Sequence, residues 1–256
     1  SDEAGHSFAE ALEVCLPLGI RQFELRTLGE ARLPAVDPPA LDELERLVNQ
    51  HDISLIGLSP GFCKQTLDDP QTDREFTDGF PGAFALMERF GIRNLTVFTF
   101  ARGAAAPDAP VSSEVLDRLG QAAARCDAAG VQLRLENVPS GWGNTGANLG
   151  ALAKALDVGV TWDPANAQAA GEEAFPAGYA GVRPYIVNLH CKNRTADGAC
   201  VDLDAGVTDI RGQLHALVAD GYDGCFTLEP HQWHDRASAT RRNTALLQAL
   251  LEQTDR

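Results

Sequence analysis

Glu136, Asp163, His190 and Glu229 are side chains of metal-ligand type, and each closes a short β-type run, with about one strand-helix unit between successive runs. In a parallel α/β barrel all strands point the same way, so residues at successive strand ends meet at one rim, where the active site lies. The spacing therefore predicts three carboxylates and one imidazole converging there. Such a set suits one divalent cation, with Mn²⁺ the first choice and Mg²⁺, Co²⁺ or Zn²⁺ as alternatives.

Period two along the strands adds neighbours to this rim. Arg134 and Gln132 fall on the side of Glu136, Thr161 on that of Asp163, Asn188 and Lys192 on that of His190, and Thr227 and Cys225 on that of Glu229. Lys192 is a candidate for holding a substrate oxygen or for pairing with a ligand carboxylate, and Arg194 is a lesser candidate for the same task. His231 follows Glu229 closely enough to line the pocket, ahead of Trp233 and His234. Trp142, in the loop after Glu136, offers either packing or an apolar wall for a sugar ring. On an earlier run Glu24 brings Gln22 and Arg26 inward. Glu24 is expected to pair with Arg134, because an unpaired buried charge costs several kcal/mol.

The elements that must position these residues alternate strictly. Apolar residues at helical spacing mark 7–18, 39–51, 73–90, 112–129, 147–156, 209–220 and 237–251, the first opened by Ser7 as N-cap and closed by Gly19. Short β-type runs fall at 22–25, 53–58, 94–98, 132–136, 158–163, 186–190 and 225–229. This alternation predicts a parallel sheet wrapped by helices, in one domain over 1–256. Seven strands are read where a closed (β/α)8 TIM barrel has eight, and the sequence opens on a helix. The expected fold is an α/β TIM barrel whose first strand is missing from this chain or replaced by a substitute.

Composition narrows the partners. The 36 Asp and Glu against 21 Lys and Arg give a formal charge of −15, a field that repels phosphate backbones and anionic membranes. Nucleic acid and membrane are therefore not expected as partners, and no run approaches the roughly 20 apolar residues of a membrane span. Cys15, Cys63, Cys126, Cys191, Cys200 and Cys225 form no CxxC pair, and no signal-peptide pattern is present. Reduced thiols in a cytoplasm are the simpler reading. His6, His51 and His215 fall on or beside helices and are read as surface or core-edge residues. A homodimer is the default expectation for the oligomeric state.

The segments LENVPSGWGNTG (135–146), TWDPANA (161–167), VNLHCKN (187–193) and FTLEP (226–230), with SFAEALEVCLPLGIRQFELR at 7–26, resemble the xylose isomerase-like TIM barrels. These are sugar phosphate isomerases and epimerases related to ketose 3-epimerases and inosose dehydratase. The resemblance implies one divalent ion held by Glu136, Asp163, His190 and Glu229. It also implies Glu136 and Glu229 as an acid/base pair, and a small sugar or polyol-derived ketone as substrate. Two positions depart from the family pattern. Asn166, a candidate substrate contact, stands where many relatives carry His, and His190-Cys191-Lys192-Asn193 replaces a frequent His-x-Lys-Asp, so a second metal is not expected. The DNA-repair endonucleases of this fold hold three zinc ions with additional histidines. The strand ends at 57–59 and 96–100 supply none, which with the acidic charge sets aside an abasic-site nuclease.

Gly141, Gly143 and Gly146 spell G-x-G-x-x-G before an expected helix, the outline of a dinucleotide fingerprint. Four residues separate Glu136 from the first glycine, whereas the fingerprint closes its strand directly. The glycines are instead read as a loop over the barrel mouth.

The implied chemistry is proton transfer next to a carbonyl through an enediolate. Return of the proton to the neighbouring carbon isomerises, and return to the opposite face epimerises. Expulsion of a leaving group makes a dehydratase or other lyase. A sugar-binding barrel without turnover is the non-enzymatic alternative, and the loops around Phe62, Phe98, Trp142 and His231 decide among these outcomes.

Overall fold

Seven strands run parallel and pair in chain order: β1 (Gln22–Leu25), β2 (Ser54–Leu58), β3 (Asn94–Val97), β4 (Gln132–Glu136), β5 (Gly159–Trp162), β6 (Ile186–Cys191) and β7 (Cys225–Leu228). The structure, a computed structural model, describes residues 2–106 and 109–254. Among these no strand stands between β1 and β7, so the sheet is a nearly closed barrel with one open seam. The expected seven strands are all present, within a residue or so of their anticipated ends.

Burial follows the pleat. Leu133 and Leu135 of β4, Val160 and Trp162 of β5 and Leu189 of β6 are buried against the helices, while Arg134, Glu136, Thr161, Asn188 and His190 are buried towards the barrel interior. The interior-facing residues fall into register. Glu136 lies opposite Thr161, Thr161 opposite Asn188, and His190 opposite Thr227. The sheet thus carries a polar layer at its C-terminal rim above an apolar outer core.

The helices begin where short polar side chains satisfy free N–H groups. Ser7 caps α1 (Phe8–Cys15), accepting from Glu10 N–H at 3.2 Å. Asp37 caps α2 (Pro38–His51) and Ser112 caps α4 (Ser113–Ala128). The helix expected at 73–90 starts earlier, at Pro70–Arg74, capped by Asp69. It widens into one π turn at Glu75–Gly79 before continuing as α3 (Phe80–Phe90). Pro81 explains the widening, since it has no N–H and its ring crowds the preceding turn.

After β4, Gly146 opens α5 (Gly146–Leu156), where a Cβ would meet Gly178 O at 1.8 Å. Close backbone approach is thus the role of this glycine, and the 141–146 loop is packed: Trp142, Gly143 and Asn144 are buried. Two short elements follow β5 that periodicity did not indicate, α6 (Pro164–Ala169) and α7 (Tyr179–Val182). The ring closes with α8 (Ile210–Ala219) and α9 (Arg236–Thr254).

At the seam α1 packs against α9, so the helical layer is continuous where the sheet is not. A cavity of about 650 Å³ lies beneath them, lined by Cys15, Phe23, Glu24, Thr227, Leu247 and Leu251 among others. No helix among the described residues is long and apolar enough to cross a membrane.

Candidate metal centre

The four strand-end residues meet. One ligand atom from each of Glu136, Asp163, His190 and Glu229 lies within 4.8 Å of the others, and all four residues are buried. His190 Nδ1 stands 3.4 Å from Glu136 Oε1 and 3.4 Å from Glu229 Oε2. Such spacing admits one ion at roughly 2–2.5 Å from each donor.

Each ligand is held by its element. Asp163 follows β5 directly and caps α6, its Oδ1 accepting from Asn166 N–H at 2.9 Å. That leaves Oδ2 directed into the site. Asn137 fixes the Asp163 backbone from both sides, donating to Asp163 O at 2.7 Å and accepting from Asp163 N–H at 2.8 Å. The Asn166 side chain donates to Asn137 O at 3.0 Å. Asn166 thus ties the ends of β4 and β5 together beside the ligands.

Glu24 lies behind His190, its Oε2 3.5 Å from His190 Nε2, and it accepts from Thr96 Oγ1 at 3.0 Å and Asn188 Nδ2 at 3.1 Å. A carboxylate behind one imidazole nitrogen orients the ring and leaves the other nitrogen for an ion. The expected Glu24–Arg134 pair takes a looser form. The close contacts come from Thr96, Asn188 and His190, and the Arg134 charge adds to them. The physical reason is that three polar groups of the same interior layer reach the carboxylate first.

Lys192 is almost wholly buried, with Nζ 2.5 Å from Asp163 Oδ2 and 2.9 Å from Glu229 Oε2. Its side chain therefore pairs with ligand carboxylates. Lys192, and Arg26 on Glu229 Oε1, offset part of the three carboxylate charges gathered here, and a divalent cation would offset the rest. Both His190 ring nitrogens are buried without a hydrogen-bond partner, and Nδ1 faces the Glu136 and Glu229 carboxylates, an arrangement that fits a bound ion.

The electrostatics separate the two glutamates. Burial holds the Glu136 carboxyl above its usual value, the Glu229 and Asp163 charges adding to the effect against the opposing pull of His190. Burial would also raise Glu229, but Lys192 and His190 outweigh it and hold Glu229 well below the usual range. Burial would lower His190, yet the Glu136 and Glu229 carboxylates push it well above its ordinary value.

His231 is brought to the rim, its Nε2 3.1 Å from Glu229 Oε1 and its ring stacked on Trp233. Arg26, just beyond β1, donates to Glu229 Oε1 at 2.8 Å and is itself held by Asp2 and Glu3. Trp142 turns to the side, with Arg102 over its ring at 4.7 Å, and lines a separate cavity of about 500 Å³ with Thr66 and Leu67. Arg194 braces the hairpin of Asn193–Arg194 and Cys200–Val201, donating to Gly198 O at 3.3 Å.

Asn137, Asp2 and Glu3 did not stand out in the sequence as site residues. Asn137 carried a signal, its place next to Glu136. Asp2 and Glu3 carried none, since they precede the first helix in a turn and reach the site only by lying across the seam.

A near-closed parallel barrel with a buried carboxylate-imidazole tetrad at the C-terminal rim defines the class. The family model described as the xylose isomerase-like TIM barrel matches residues 12–250, and the chain belongs to that family. No curated protein sequence matches the chain. Among solved structures it is similar to an L-ribulose 3-epimerase, with 18% identity and a TM-score of 0.75 over 98% of this chain and 92% of that one. It is also similar to an IOLI protein with a bound zinc atom, with 18% identity and a TM-score of 0.78 over 98% and 95% of the two chains. A third is the probable 3-DHS dehydratase AsbF from Bacillus anthracis, with 15% identity and a TM-score of 0.73 over 94% and 93%. At these identities the likeness is one of fold.

Proposed function

We propose that the chain is a divalent-metal-dependent isomerase or epimerase of a small sugar or polyol-derived ketone, folded as one barrel domain over 1–256. The observation that carries this reading is the buried tetrad, whose ligand atoms lie within 4.8 Å of one another. Mn²⁺ is the preferred ion, on the hard character of three carboxylates. A divalent ion held by Glu136, Asp163, His190 and Glu229 would supply Lewis-acid polarisation of the substrate carbonyl. Glu136 and Glu229 form the acid/base pair, one taking the proton from the carbon next to the carbonyl and the other returning it. Lys192 orients Asp163 and Glu229, and His231 lines the pocket beside Glu229. Asn166 shapes the same rim, while Trp142, stacked under Arg102, and Arg194, bonded to Gly198 O, are engaged elsewhere. The acidic charge opposes nucleic acid as a partner, and the six free cysteines favour a cytoplasmic setting.

The test is metal analysis followed by a screen of ketoses and inososes in D₂O, with NMR detection of deuterium uptake at carbon. Glu136→Gln and Glu229→Gln are expected to lose about 10²–10⁴-fold in turnover, with unchanged circular dichroism. Full activity in either variant defeats the assignment, and loss of water from the substrate in place of exchange moves it to a lyase.

A further inference from the structure

Above the seam, a second cluster of charged groups surrounds the outer oxygen of Glu229. Glu3 uses both carboxylate oxygens: Oε1 accepts from Arg26 Nη2 at 2.8 Å, and Oε2 accepts from the backbone N–H of His231 at 2.7 Å. The Glu3 carbonyl accepts from Thr240 Oγ1 at 3.2 Å, which anchors it to α9. Arg26 and His231 both reach the same oxygen of Glu229, Arg26 Nη1 at 2.8 Å and His231 Nε2 at 3.1 Å from Oε1. The other oxygen, Oε2, faces His190 Nδ1 at 3.4 Å and Lys192 Nζ at 2.9 Å.

His231 sits at φ +53°, a conformation sparsely populated by residues other than glycine. The N–H bonded to Glu3 belongs to that same strained residue. Removing the Glu3 carboxylate therefore frees the His231 backbone and one edge of the Arg26 guanidinium together. Glu3, Glu229 and His231 also fall within metal-ligand reach of one another. Arg26 already supplies a positive charge among them, so they form a clasp around a guanidinium.

We propose that Glu3 is a positioning residue for Glu229, acting through Arg26 and His231 to lock Oε1 and present Oε2 alone to the tetrad. The inference rests on the reading that Glu229 works at the metal centre. A carboxylate free to rotate exchanges its two oxygens, and one held by two donors does not. Pre-organisation of this kind favours turnover over ground-state binding.

The test compares Glu3→Ala, Glu3→Gln and Thr240→Val in the full chain. In metal-free protein, Glu3→Ala is expected to shift the His231 amide and ring resonances in ¹⁵N NMR, and unmoved resonances overturn the proposal. With a turned-over ketone, Glu3→Ala lowers kcat at least tenfold with KM within threefold, and Glu3→Gln, which keeps one acceptor, falls between. Thr240→Val cuts the tie to α9 but leaves the carboxylate, so it lowers Tm and keeps kcat within twofold. Equal kcat in wild type and Glu3→Ala, or equal loss in Thr240→Val, reduces Glu3 to a structural residue and overturns the proposal. Should wild type turn over no ketone, the functional reading fails by itself. Mn²⁺ titration then decides the clasp, with affinity at least threefold weaker in Glu3→Ala supporting it and unchanged affinity overturning it.

Discussion

Lys192 Nζ stands 2.5 Å from Asp163 Oδ2, so an ammonium already occupies one side of the carboxylate cluster. It lowers the repulsion among the ligands and at the same time competes for their oxygens. Lys192→Met is expected to cost the metal-free protein about 3–5 kcal/mol, the usual penalty for breaking a buried ion pair. The same change is expected to tighten divalent binding. Denaturant melts in EDTA and calorimetric Mn²⁺ titration read the two effects, which should run in opposite directions.

The buried His190 ring nitrogens have no hydrogen-bond partner, so an ion held by the tetrad is expected to stabilise the native state. At a free Mn²⁺ concentration of 100 times the dissociation constant the gain is about 2.7 kcal/mol, roughly 5–10 °C in Tm for a chain of this size. Asp163→Asn should abolish that rise. A comparison of Mn²⁺, Mg²⁺, Co²⁺ and Zn²⁺ by differential scanning calorimetry ranks the ions, and no rise with any of them sinks the metal centre.

Away from the rim, burial pushes the Glu75 carboxyl up from 4.5 to about 6, although the Cys63 N–H bonded to Oε2 at 2.7 Å favours the charged form. The native state thus holds its proton longer than the unfolded chain. The stability this contributes is complete below about pH 4.5, declines between pH 4.5 and 6, and is lost above that range. The difference amounts to about 2 kcal/mol. Glu75→Gln keeps an acceptor for Cys63 and cannot ionise, so it should match wild type near pH 4 and exceed it by about that amount at pH 7. Urea melts across this range check the sign.

Two glycines should respond oppositely to alanine. At Gly146 a Cβ would lie 1.8 Å from Gly178 O, a backbone atom that cannot step aside, whereas at Gly120, inside α4, the nearest atom is Leu156 Cδ2 at 3.7 Å. Gly146→Ala is expected to cost about 1–3 kcal/mol or more. Gly120→Ala should add roughly 0.5–1 kcal/mol from helix propensity. Thermal melts of the two variants make the comparison.

Much of the barrel was legible because strand period and helical period alternate along most of the chain from Gln22 to Leu228. The tetrad was legible for the same reason, since parallel strands carry their last residues to a common rim. The π turn before α3 was not, because a proline inside an apolar helical pattern leaves open whether the helix breaks or widens. The short helices α6 and α7 lie within a loop whose apolar spacing is too brief to register as periodic. Trp142 was assigned by residue type alone, and its stacking on Arg102 depends on a loop path that no local pattern encodes. Glu3 lies 226 residues from Glu229 in sequence, and only the juxtaposition of β1 and β7 across the seam brings them together.

The seam also bears on how the ligand set behaves in time. Glu229 follows β7, an edge strand that is hydrogen-bonded in the sheet on one side, to β6, among the described residues. Strands paired on one side breathe more readily than those paired on both, and each excursion of β7 carries one of the four candidate ligands with it. Affinity for an added divalent ion and the solvent exchange of amides at Cys225–Leu228 are thereby expected to report one local opening equilibrium.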